Sequence, residues 1–144
     1  MRPGAASLRS NVLVDTGPLV ALLKAGDRQH ASVAEQLALL RPPFITCEAV
    51  LAEATHLVRH LPGGRAALLE MVDEGFLSVG LQIAAQTAEL LTLVRRYATV
   101  PMSLADACMV RLAELNPRSP VWTFDCDFAV YRKNGRQVIS LIPT

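Results

Sequence analysis

Short apolar runs recur along this chain, and stretches of helical pattern lie between them. Val12-Leu13-Val14, Phe44-Ile45, Phe76 to Val79, Val121 to Phe124 and Gln137 to Ile142 are the runs. Runs so short and so apolar suit strands covered on both faces. The intervening stretches carry helix signals and stops. Leu19 to Leu23 is broken by Gly26-Asp27, and Ala31 to Leu40 is stopped by Arg41-Pro42-Pro43. Cys47 to His60 has Thr46 as its cap and Leu61-Pro62-Gly63-Gly64 as its stop. Arg65 to Glu74, Gln82 to Tyr97 and Ser103 to Leu115 follow, the last ended by Asn116-Pro117. Strands that alternate with helices predict an α/β fold. Its centre is a mainly parallel sheet of about five strands, with helices on both faces.

A chain of 144 residues fits one domain and can bury a core without disulfides or structural metal. We expect a loose segment over residues 1–10 and the domain over 11–144. The hydrophobic share is 51%, which implies a well-filled core and some apolar surface covered by a partner. The aromatic share is 5%, which argues against a sheet that stacks RNA on exposed aromatics. A formal net charge of +1 leaves RNA contact to local clusters. Three scattered cysteines, Cys47, Cys108 and Cys126, argue against a disulfide framework and for a reducing, cytoplasmic setting. Met1 to Ser10 lacks the apolar core of a signal peptide. The most apolar long stretch, Ser78 to Val94, contains Gln82, Gln86 and Glu89 and makes a poor membrane span.

The acids fall in telling places. Asp15 directly follows the first expected strand, and Asp125 the fourth, with Asp127 two residues on. Ligands of open α/β sheets sit just beyond the carboxyl ends of the strands. Asp106 lies in a helix that is apolar on nearly every side, and Glu53 borders an apolar face between Val50 and Leu57. A buried carboxylate needs a partner or a raised pKa.

Each acid also has a plainer reading. Asp15 can cap the helix that begins near Pro18, and Asp106 can close a capping box with Ser103. Asp125 and Asp127 can make Asx turns, and Glu53 can face solvent. A shared cause explains all of them at once. Carboxylates crowded into one pocket stay ionised only if something cancels their charge. A hard cation with oxygen ligands does so, which points to Mg²⁺ or Mn²⁺. The chain has no Cys/His cluster suited to zinc.

The order of these segments resembles a known family. Asn11-Val12-Leu13-Val14-Asp15-Thr16-Gly17-Pro18-Leu19 resembles the opening of PIN-domain nucleases. Glu53 after Thr46, Ser103-Leu104-Ala105-Asp106-Ala107 and Trp122-Thr123-Phe124-Asp125-Cys126-Asp127-Phe128 resemble the acidic motifs that follow. The likeness runs from about Val12 to Ile142. Phe124 stands where the family often has a polar residue. At this length the chain is similar to the toxin member of VapBC toxin–antitoxin pairs. The resemblance implies a three-layer PIN-like fold and a Mg²⁺- or Mn²⁺-dependent endoribonuclease that cuts RNA by metal-activated water. It implies a homodimer, silenced by a small antitoxin. It assigns catalysis to Asp15, Glu53, Asp106 and Asp125, and metal binding to Asp15, Asp106, Asp125 and Asp127. Thr16 and Thr123 become hydroxyls that orient a carboxylate or a water.

Other readings explain less. Asp15-Thr16-Gly17 also spells an aspartic-protease signature, but those proteins are all-β. His56 and His60 have i, i+4 spacing without the glutamate of the zinc motif, so two partly exposed histidines are expected. A nuclease of RNA maturation and a non-catalytic scaffold are the remaining alternatives. Basic residues worth testing against RNA are Lys24, Arg28, Arg59, Arg95, Arg96, Arg132, Lys133 and Arg136. Partners are expected over the helices between Ala31 and Tyr97.

Overall fold

The computed structural model describes residues 8–144. Most of the expected loose segment, residues 1–7, lies outside the described residues. Strands β1 (Leu13–Val14), β2 (Phe44–Thr46), β3 (Leu77–Val79) and β4 (Val121–Trp122) form a parallel sheet in the order β3-β2-β1-β4. Leu13, Val14 and Val121 are fully buried and Trp122 nearly so, as expected of strands covered on both faces. Six helices accompany the sheet: α1 (Thr16–Leu23), α2 (His30–Leu37), α3 (Glu48–Leu57), α4 (Gly64–Asp73), α5 (Thr87–Arg96) and α6 (Leu104–Leu115). No helix among the described residues is long and apolar enough to cross a membrane.

The path of the chain creates a crevice. From β1 it moves to β2 and then β3 on one side, and afterwards crosses back to β4 on the other. Helix α3 packs against α1, α4 and α6, and α5 packs against α6. The reversal falls between β1 and β4, whose register pairs Val14 with Trp122. Asp15 and Thr123 follow directly, so both leave the carboxyl edge of the sheet at its topological switch point.

Three expectations change in detail. The run Gln137 to Ile142 divides. Its first part, β6 (Gln137–Val138), pairs antiparallel with β5 (Arg132–Lys133), and Leu141 then forms a single parallel bridge to Val121. The turn between β5 and β6 uses Asn134 and Gly135, with φ of 51° and 83°, residue types that tolerate the left-handed region. The expected long helix Gln82 to Tyr97 begins as a 3-10 turn at Ile83–Ala85 before α5. Leu40 lies beyond α2 and bridges Arg9, whose N–H donates to the Leu39 carbonyl at 3.2 Å.

Thr46 is not the cap of α3. Cys47 holds that position, and the Thr46 hydroxyl instead donates to the Val14 carbonyl at 2.9 Å. This bond pins β2 to the last residue of β1, one position before Asp15. Replacing the hydroxyl by a methyl should therefore cost stability. Thr46→Val is expected to lose about 1 kcal/mol in urea unfolding, the usual net worth of one buried hydrogen bond. An unchanged midpoint would show that the bond contributes nothing.

Candidate active site

Four segments deliver carboxylates to one open cleft of about 410 Å³. Asp15 comes from the end of β1, Glu53 from α3, Asp106 from the first turn of α6 and Asp125 from the segment after β4. Thr16, Gly17, Leu57, Ser103 and Phe124 complete the lining. No Lys, Arg or His is among the lining residues.

Asp15 is 6% exposed. It occupies the N-cap position of α1, but its side chain makes no cap bond. Its Oδ2 instead accepts from the Thr123 hydroxyl at 2.7 Å. Burial raises its pKa to about 6, against the pull of Thr123 and the Thr16 amide; the charges of Asp106 and Glu53 add to the rise.

Asp106 does close a capping box. Its N–H donates to Ser103 Oγ at 3.0 Å, and its Oδ2 accepts the Ser103 N–H at 3.3 Å. The same Oδ2 accepts the Tyr131 hydroxyl at 3.0 Å. Burial is again the main cause of a raised pKa, and the Asp125 charge adds to it. Capping and cleft lining therefore coexist at one carboxylate.

Asp125 is held from two sides. Its N–H donates to the Thr123 hydroxyl at 3.0 Å, and its Oδ1 accepts the Asp127 N–H at 2.9 Å. This is the Asx turn the sequence allowed, and it starts the 3-10 turn Cys126–Ala129. Glu53 is exposed on α3, yet Thr16 tethers it, donating from its hydroxyl to Oε2 at 2.8 Å. Asp127 is not among the residues that line the cleft. Its carboxylate lies within 4.8 Å of ligand atoms of Asp125 and Cys126.

Thr16 and Thr123 are 7% and 6% exposed, and each hydroxyl is bonded to one carboxylate, with the Thr123 bond buried. Tyr131 escaped sequence reasoning. Its partner Asp106 is 25 residues away, and no local pattern links them. Lys133 is a poor candidate for RNA contact, because it is 8% exposed and donates to the Pro117 carbonyl. His56 and His60 are exposed.

The family model of the PIN domain matches residues 12–134. The chain belongs to the PIN-domain family. A search of curated proteins gives no match. Among solved structures, the chain is similar to Mycobacterium tuberculosis VapC20, described as a sarcin-ricin loop cleaving toxin. The TM-score is 0.75 at 24% identity, covering 83% of this chain and 94% of that one. The two share the α/β fold.

PIN domains typically bind divalent metal, and the donor set of this PIN domain fits one. Its four cleft acids present hard oxygen atoms, and no cation among the cleft residues offsets their charge. One oxygen of each is already fixed: Asp15 by Thr123, Glu53 by Thr16, Asp106 by Tyr131 and Ser103, Asp125 by the Asp127 amide. The second oxygen of each accepts no side-chain hydrogen bond among the described residues.

The shift at Asp15 has a sign that can be checked. Its folded pKa lies above its ordinary value, so the folded state binds the proton more tightly. Metal-free stability is therefore fullest below about pH 4 at this site and declines as pH rises through about 6. Asp15→Asn removes the buried charge and should stabilise the metal-free protein at pH 7 by up to about 3 kcal/mol. Chemical denaturation of both proteins from pH 4 to 7 measures this. Equal stability at pH 7 would mean that the charge is not penalised.

Proposed function

We propose that this PIN domain is a Mg²⁺- or Mn²⁺-dependent endoribonuclease and the toxin of a VapBC-type toxin–antitoxin pair. The observation that carries the nuclease reading is the cleft itself: Asp15, Glu53, Asp106 and Asp125 line one opening, with no Lys, Arg or His among the lining residues. The family match supports a nuclease, and the likeness to a sarcin-ricin loop cleaving toxin supports RNA as substrate. An antitoxin and a second copy of the chain are the proposed protein partners. Exposed Leu39, Leu69, Leu91 and Val94, all on the stretch from Ala31 to Tyr97, support partner docking there.

In this reading Asp15, Asp106 and Asp125 hold the ion, with Asp127 as an outer contributor, and Glu53 faces the reacting phosphate and water. Bound divalent metal would supply Lewis acidity toward the phosphate and activation of water. The protein's own part is orientation. Thr123 sets the rotation of the Asp15 carboxylate and, through its contact with the Asp125 amide, the position of Asp125. Thr16 draws Glu53 from α3 toward the end of β1. Tyr131 and Ser103 fix one oxygen of Asp106 so that the other points to a constant place.

Asp15→Asn and Asp106→Asn should each reduce RNA cleavage to background while the circular dichroism spectrum stays that of the wild type. Chelation should silence the wild type, and added Mn²⁺ should restore it. Expression of the wild type, and not of Asp15→Asn, should arrest growth and create discrete new RNA 5′ ends. Cleavage at the wild-type rate by either variant would refute the site.

A further inference from the structure

The cleft contains an aromatic side chain that its acid chemistry does not need. Every other aromatic residue belongs to one of two groups in the fold. Phe44 meets Phe76 and Trp122 at centroid distances of 5.1 and 5.8 Å. Tyr131 meets Tyr97 and Phe128 at 5.0 and 5.2 Å. Phe124 is in neither group. It lines the cleft beside the carboxylates and is partly exposed there.

Its position is tightly defined. On one side Thr123 is bonded to Asp15, and on the other the Asp125 amide is bonded back to Thr123. The ring packs on Gly17 in the first turn of α1; a Cβ at that glycine would stand 3.1 Å from Phe124 Cδ2. Glycine at 17 thus lets the ring lie close to the helix while its remaining surface faces the cleft. Leu57, 52% exposed, is the other large apolar residue of the lining.

An RNA strand gains little from this lining by charge, since its lining carboxylates repel phosphate. Aromatic stacking is an attraction that such a cleft can offer without a cation, and it serves any base because every base has a π-face. We propose that Phe124 is a stacking platform for the nucleobase beside the scissile phosphate. This rests on the nuclease reading above and assigns a substrate-binding role to a residue outside the acid set. It predicts weak discrimination among bases at that position and strong discrimination against a missing base.

The test uses single-stranded RNA oligonucleotides with 2-aminopurine walked along the strand, bound with Ca²⁺ present, and the same oligonucleotides with an abasic site at each position. Wild type should quench 2-aminopurine at one position. Phe124→Leu should lose that quenching and weaken binding about 10- to 100-fold, the range seen when stacking aromatics are removed. Phe124→Tyr and Phe124→Trp should restore both. The abasic RNA should bind the wild type as weakly as intact RNA binds Phe124→Leu, with no further loss when the two changes are combined. Gly17→Ala, which pushes on the ring without altering it, should also reduce quenching. Undiminished quenching and affinity in Phe124→Leu would overturn the proposal, as would equal abasic losses in wild type and variant. Quenching that depends on Phe124 without cleavage under Mn²⁺ would leave a base-stacking site, remove the nuclease reading and overturn the placement beside a scissile phosphate. RNA that neither binds nor is cut would remove both.

Discussion

One hydrogen bond ties the fold to its cleft. The hydroxyl of Thr123 donates to Asp15 across the junction of β1 and β4 and accepts from the Asp125 amide. The two strands are adjacent because the chain reverses its direction of travel across the sheet there. Residues 108 positions apart in sequence consequently share one buried contact. Neutral hydroxyls suit this task. A lysine in place of Thr123 would satisfy Asp15 and also compete with any metal ion.

The surrounding acids show how one residue can serve the backbone and the cleft together. Asp106 caps α6 with one oxygen, and Asp125 closes a turn with one oxygen. Carboxylates have two oxygens and several lone pairs, so the local bond does not exhaust them. Local bonding also fixes the side-chain torsions, and a fixed carboxylate loses less entropy when it meets a ligand.

Much of this was legible from sequence, and the reasons are specific. The strands at Val12–Val14 and Phe44–Ile45 were readable because buried parallel strands leave short apolar runs between turn residues. Asp15, Asp106 and Asp125 stood out because a charge beside such runs needs an explanation. The choice between capping and cleft lining was not readable, and at Asp106 both hold. Thr46 has the sequence position of a cap, because Thr before a helix usually is one; its hydroxyl turns instead to Val14, a contact 32 residues away that only the sheet creates. The hairpin near the C-terminus was signalled by Asn134-Gly135, but the apolar run after it masked the turn. Tyr131 offered no signal, because its role depends on where α6 packs.

The double use of Asp106 has a bearing on how such a chain can change over generations. Its carboxylate holds the Ser103 amide and the Tyr131 hydroxyl as well as facing the cleft. A lineage freed from selection for activity would still be held at this position by the needs of α6. Asp15 makes no cap bond; its carboxylate meets the Thr123 hydroxyl, and burial penalises its charge when no ion is bound. In an inactive descendant the acid after β1 would be the earlier to drift, and the aspartate at the start of α6 would remain as a relic of the lost site.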